Sequence, residues 1–189
     1  MKQSNVNTFV QGKTRILDAF SVKGFKTWTA REGVGAQTTL YKDGKKVGLC
    51  TDEGNGGEVD FRGHTVEAEK MVRKFVKSLP EYQFSDYWKE QYGDEDEWDG
   101  QAKSDLESWT VAVFADVMLN LAEEEKQLKK LCKTKTVVRA KGFQNFGIFD
   151  IKWPTDTYGQ LMLESQLTKQ LQAEQNPKVI TEMVNKRFD

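Results

Sequence analysis

Two residues, Asp43-Gly44, constrain this chain more than any others. They stand between Thr38-Thr39-Leu40-Tyr41-Lys42 and Lys45-Lys46-Val47-Gly48-Leu49. A two-residue Asp-Gly loop suits a type I′ turn, because both central positions tolerate positive φ. The expected hairpin pairs Leu40 with Val47 and Thr38 with Leu49 on one face. Thr39, Tyr41, Lys46 and Gly48 fall on the other. A cover for the apolar face follows in sequence. Thr65 is placed to cap a helix whose Ala68, Met71, Val72, Phe75, Val76 and Leu79 form one continuous stripe, with Pro80 ending it.

The remaining segments read as follows. Residues 1–13 carry little pattern and are expected to be irregular. Thr14 to Phe20 and Phe25 to Ala30 read as short strands separated by Lys23-Gly24. Glu53-Gly54-Asn55-Gly56-Gly57 is a glycine-rich loop leading into a strand at Glu58 to Arg62. Ser104-Asp105-Leu106-Glu107 matches a capping box. It is expected to open a long helix with Leu106, Trp109, Val113, Phe114, Val117, Leu121, Leu128 and Leu131 on one face. Strands are expected at Thr134 to Ala140 and Gly147 to Trp153. Thr155 or Asp156 then caps a helix buried through Leu161, Leu163, Leu167 and Leu171. Val179 to Val184 is rich in β-branched residues and reads as a short strand. The fold class is α+β: an antiparallel sheet of roughly five to seven strands with helices packed on one face. At 189 residues the chain suits a single domain, 1–189, with any subdomain boundary at 93–103.

Composition excludes several classes. The longest apolar runs, such as Val111-Ala112-Val113-Phe114-Ala115, fall far short of the ~20 residues that span a bilayer. No membrane partner is expected, and the first residues lack the apolar core of a secretion signal. The two cysteines, Cys50 and Cys132, read as thiols in a reducing compartment, which places the chain in the cytoplasm.

Leu40-Tyr41-Lys42-Asp43-Gly44-Lys45-Lys46-Val47, followed by Asp52-Glu53-Gly54-Asn55-Gly56-Gly57-Glu58, resembles small proteins encoded by phages and bacterial mobile elements. Their hairpin and Gly-Gly loop precede a helix, and a later portion ends near an Asn-x-Arg motif like Asn185-Lys186-Arg187. That group has no assigned activity, so no catalytic residue is carried over. The resemblance implies a small protein acting inside a bacterial cell during phage infection.

The enzyme case is weak. No Lys-Ser/Thr pair follows the glycine loop, and its acids would repel a phosphate. Asp52, Asn55 and Glu58 miss the EF-hand spacing. His64 is the only histidine, and nothing in the sequence completes a catalytic constellation around it. Neither Cys50 nor Cys132 has CxxC spacing. No catalytic residue, metal site or cofactor is therefore expected.

Charge patterning is more informative. From Glu81 to Glu107 ten acids stand against two lysines, a local net of −8. Tyr87, Trp88, Tyr92 and Trp98 lie among Asp94, Glu95, Asp96 and Glu97. Aromatic anchors with steering carboxylates fit a basic protein partner. The leading expectation is thus a non-catalytic phage or mobile-element accessory protein. It would bind a basic host protein through 82–109 and interfere with a nucleic-acid enzyme. The simpler account is that these rings complete the core under a charged rim. The first alternative is nucleic-acid binding by the basic stretch Lys126 to Gly147, a local net of +7, through Lys129, Lys130, Lys133, Lys135 and Arg139. Against it, cations are also favoured at a helix carboxyl end. The second alternative is a small hydrolase or nucleotide-handling enzyme using the 52–64 loop.

Overall fold

A computed structural model describes residues 8–84, 106–141, 147–173 and 179–188. Among them are four α-helices and nine strands in three antiparallel sheets, an α+β fold with helices packed against sheet. Packing divides the chain into two compact units, Met1–Glu123 and Glu124–Asp189. The expected boundary at 93–103 lies outside the described residues.

The first unit opens with α1 (Thr8–Ala19), followed by β1 (Ser21–Thr29), β2 (Val34–Lys42), β3 (Lys45–Asp52) and β4 (Asp60–Gly63). The four strands form one meander in the order β1-β2-β3-β4. The expected strand at Thr14 to Phe20 is helical instead, and so is 8–13. Phe9, Gly12, Ile16 and Phe20 are buried at spacings of three and four, a helical stripe that Thr14, Ile16 and Leu17 masked with β-favouring character.

The Asp43-Gly44 turn forms as expected, with φ of 50° and 74°. The register beyond it differs. Lys42 pairs with Lys45 and Tyr41 with Lys46, but Leu40 then opposes Gly48, Thr39 opposes Leu49 and Thr38 opposes Cys50. One extra residue in β3 makes a bulge at Val47-Gly48. A one-residue slip exchanges faces, so Cys50 enters the core in place of Leu49. A second bulge lies in β1 between Lys23 and Lys26. It joins into one strand what the sequence divided at Lys23-Gly24.

Thr65 caps α2 (Val66–Val76) as expected, its Oγ1 accepting from Ala68 N at 3.1 Å. This helix stops four residues before Pro80, yet Leu79 stays buried. β5 (Tyr82–Gln83) pairs with β6 (Leu106–Glu107), so the expected helix start at Ser104 to Glu107 is displaced. Helix α3 (Val111–Leu131) begins at Thr110 instead. The Thr110 Oγ1 accepts from Val113 N and its carbonyl from Phe114 N, each at 3.1 Å.

Leu40, Val47, Cys50 and Phe61 from one sheet face share a core with Phe9, Ile16, Val72, Val76, Phe114, Val117 and Met118 from the three helices. Phe114 is central. Its ring meets Phe20 at 5.3 Å and Phe61 at 6.3 Å, both edge to face, a geometry worth roughly 0.5–1.5 kcal/mol per pair beyond burial.

The second unit holds β7 (Thr136–Lys141) between β8 (Gly147–Phe149) and β9 (Val179–Met183), with α4 (Thr157–Gln172) and a 3-10 turn at Val184–Arg187. β8 is shorter than expected. The Ile151 carbonyl accepts from Thr136 Oγ1 at 2.6 Å, and Trp153 is buried with α4 outside the ladder. Asp156 caps α4, accepting from Gly159 N at 2.7 Å. Leu163, Leu167 and Leu171 are buried against Val138 and Met183, whereas Leu161, expected in that core, is 60% exposed. Val137, one residue along β7, packs instead with Leu128 and Val184.

Asn185 holds this unit together and gives the Asn-x-Arg motif a structural role. It is 1% exposed. Its Oδ1 accepts from Val137 N at 2.7 Å, and its Nδ2 donates to the carbonyls of Lys135 at 2.8 Å and Cys132 at 3.3 Å. Arg187 pairs with Glu182 and Glu125. Its hydrogen bond and charge hold the Glu182 carboxyl below the usual range against the opposing effect of burial.

Replacing Asn185 by Ala removes its hydrogen bonds to a buried N–H and two carbonyls, and should destabilise by about 3 kcal/mol in urea denaturation. Leu167→Ala should cost about 3 kcal/mol, while Leu161→Ala should stay within about 0.5 kcal/mol.

Candidate functional site

The acidic and aromatic residues Tyr87, Trp88, Tyr92, Asp94, Glu95, Asp96, Glu97 and Trp98 lie outside the described residues. The two ends of the expected 82–109 surface are described, and both turn inward. Tyr82 is 3% and Trp109 5% exposed. Phe9 stacks on Trp109 at 4.8 Å and meets Tyr82 edge-on at 5.2 Å. These two rings complete a core, whereas the four to which the simpler account applies lie outside the described residues. The Trp109 Nε1 is a buried donor without an acceptor among the described residues, which makes the placement a matter of ring packing.

The basic stretch separates into two sets. Lys135 pairs with Asp150 at 2.7 Å, and Arg139 with Glu124 at 3.4 Å and Glu182 at 3.7 Å. Their charge is largely answered within their own unit. Lys129, Lys130 and Lys133 are exposed near the carboxyl end of α3, and none forms an ion pair among the described residues.

The described contacts of the 52–64 loop are local turn and strand contacts. Asp52 Oδ1 accepts from Gly54 N at 2.7 Å, closing a local turn. Gly54 has φ of 71°, and a Cβ there would lie 2.5 Å from Gly35 N, so packing and conformation both demand glycine. His64 is exposed, and its backbone N–H donates to the Val47 carbonyl at 2.7 Å. Among the described residues no three His, Cys, Asp or Glu side chains cluster to hold a metal ion. Burial, with the Asp60 charge adding to it, pushes the Cys50 thiol up to about 12, where it is unreactive.

The remaining feature is the uncovered face of the first sheet, and it follows from the register. Residues directly opposite in antiparallel strands share a side. Thr38 and Leu40 point into the core, so Gly35, Gln37, Thr39 and Tyr41 of β2 point away. Their partners carry the face outward. On β1 these are Ser21, Lys23, Lys26 and Trp28, and on β3 they are Lys46, Leu49 and Thr51. Beyond them, β4 adds Asp60 and Arg62. Thr39, Tyr41 and Lys46 had been expected on this side. Gly48 had been too, but it lies across from Leu40 on the core side.

Lys23, Lys26, Lys46 and Arg62 are exposed and form no ion pair among the described residues, and Asp60 is the one carboxylate among the strand residues of this face. Lys23 Nζ sits 5.2 Å from the centroid of the Tyr41 ring. Trp28, 37% exposed, lies across Gly35, where a Cβ would stand 2.3 Å from the indole. Gln37 Nε2 donates to Thr51 Oγ1 at 3.1 Å between the rings. Lys23, Lys26, Trp28 and Arg62 are not legible as one group in the sequence. The alternation Lys26-x-Trp28 was the available signal, but dividing β1 hid its register.

Comparison with protein-family models, curated proteins and solved structures finds no match to this chain. No helix of the described residues is long and apolar enough to cross a membrane.

On the core side, burial and then the Asp52 charge raise the Asp116 carboxyl above its ordinary value, opposed by the Asn120 amide and Lys13. A carboxyl with a raised folded pKa penalises folding once ionised. The penalty is absent below the unfolded value, about pH 4, and grows as pH rises through the folded pKa. Asp116→Asn should therefore raise the thermal midpoint at pH 7 in a melting experiment, with the gain vanishing toward pH 4.

Proposed function

We propose that this chain is a non-catalytic nucleic-acid-binding protein, and that the uncovered face of the first sheet meets the phosphate backbone. The observation that carries the reading is the set of four cations, Lys23, Lys26, Lys46 and Arg62, free of ion pairs among the described residues and beside a single strand carboxylate. Overall charge of −1 does not oppose it, because a local field steers a polyanion more than net charge does. Lys129, Lys130 and Lys133 offer a further basic surface in the second unit. The resemblance to phage proteins would place such a binder in the cytoplasm of an infected bacterium.

Four phosphate contacts imply about a 50- to 150-fold loss of affinity between 50 and 200 mM salt. Fluorescence anisotropy with a labelled oligonucleotide should show that loss. Replacing Lys23, Lys26, Lys46 and Arg62 by Ala should flatten the salt slope by about 0.7–0.9 per residue. Unchanged affinity in the fourfold variant would move the contact elsewhere, and Lys129/Lys130/Lys133→Ala tests the second unit in the same assay.

A second reading keeps the acidic and aromatic segment as the docking surface for a basic host protein. It is supported by the local net of −8 around Asp94 to Glu97. Charge reversal of those four residues should abolish capture of that partner from host lysate. An unchanged set of captured proteins would end this reading.

A further inference from the structure

We infer that the nucleic acid held on this face is a single strand, its bases stacked on Trp28 and Tyr41 while the four cations follow its phosphates. The inference rests on the binding function proposed above and names its ligand. Charge alone would serve a duplex equally well. What distinguishes the face is that its cations are interleaved with two rings: Lys26 and Trp28 alternate on β1, and Lys23 stands over Tyr41 on the next strand. Rings on an open sheet offer stacking platforms to bases that are not already stacked on one another. In a duplex the base faces are occupied, and a four-stranded sheet is too broad for the major groove, which takes a helix or a two-stranded ribbon.

Trp28 is the better platform because its ring position is set by the backbone. It lies across Gly35, its direct partner in β2, in space that any side chain there would fill. Gly35 is thus a positioning residue for the indole. Tyr41 lies six residues further along β2, about 20 Å away at strand rise, so the two rings bracket several nucleotides. Between them Gln37, Thr39 and Thr51 present polar groups, with Gln37 and Thr51 already bonded to each other. Rings and cations address bases and phosphates, not sugar, so RNA and DNA strands are held alike.

The test uses the full chain with oligo(dT) and oligo(rU) of about 15 nucleotides and a DNA duplex of the same length. The single strands should bind at least about tenfold more tightly than the duplex and within about threefold of each other. Trp28→Ala and Tyr41→Ala should each lose about tenfold or more for single strands, and Trp28→Phe should keep most of the affinity. Oligo(dT) should also quench tryptophan fluorescence in the parent protein, with that component absent from Trp28→Phe, a readout that does not depend on the Ala variants folding. Duplex binding as tight as single-strand binding, or a parent quench unchanged in Trp28→Phe, would overturn the inference while leaving salt-dependent binding standing. A more than tenfold preference for one sugar would overturn the claim that rings and phosphates carry recognition. Absence of salt-dependent binding to every probe would sink both this and the proposed function.

Discussion

Covering only one face of the first sheet is the constraint from which the rest of that unit follows. Phe114 and its neighbours on three helices bury Leu40, Val47, Cys50 and Phe61, and each fully buried side chain of that size contributes about 1.5–3 kcal/mol. That gain fixes the orientation of every strand. Once Leu40 is inside, pleating forces Thr39 and Tyr41 out, and the ladder carries the alternation to the neighbouring strands. The cations on the open face need no stabilising partner to be there. They are where water can solvate them, which leaves their charge available.

Two bulges then adjust what alternation alone would give. In β1 the extra residue lets Phe25 pack on the core while Lys23 and Lys26, three apart, both face water. In β3 the extra residue puts Cys50 inside and Leu49 outside. Bulges re-aim side chains at the cost of local ladder hydrogen bonds. Here they concentrate Lys26, Trp28 and Leu49 on the face that also bears Tyr41.

In the second unit both arginines are answered internally. Arg139 and Arg187 meet Glu124, Glu125 and Glu182, and Asn185 supplies hydrogen bonds where strand β7 leaves the ladder. Such surface ion pairs contribute little each, so the buried amide matters more to stability. The contrast between the units is one of commitment. A cation already paired must break that pair to meet a phosphate, whereas Lys23, Lys26, Lys46 and Arg62 have no ion pair among the described residues to break.

The amino-acid sequence by itself determined the elements whose signals are local. The Asp43-Gly44 turn, the Thr65 and Asp156 caps and the stripe of α2 depend on neighbours within a few residues, where turn and cap chemistry act. It misread α1, whose burial period competes with β-favouring residues, and it placed the start of α3 at a capping box six residues too early for Thr110. Tertiary structure alone decided which side chains of the first sheet meet solvent. A bulge shifts register by one residue with no short-range signature, and each shift reverses every side chain beyond it. Trp28 could therefore be read as a strand residue from its surroundings in the chain, but its place beside Lys26 and across from Gly35 exists only once β1 and β2 are paired.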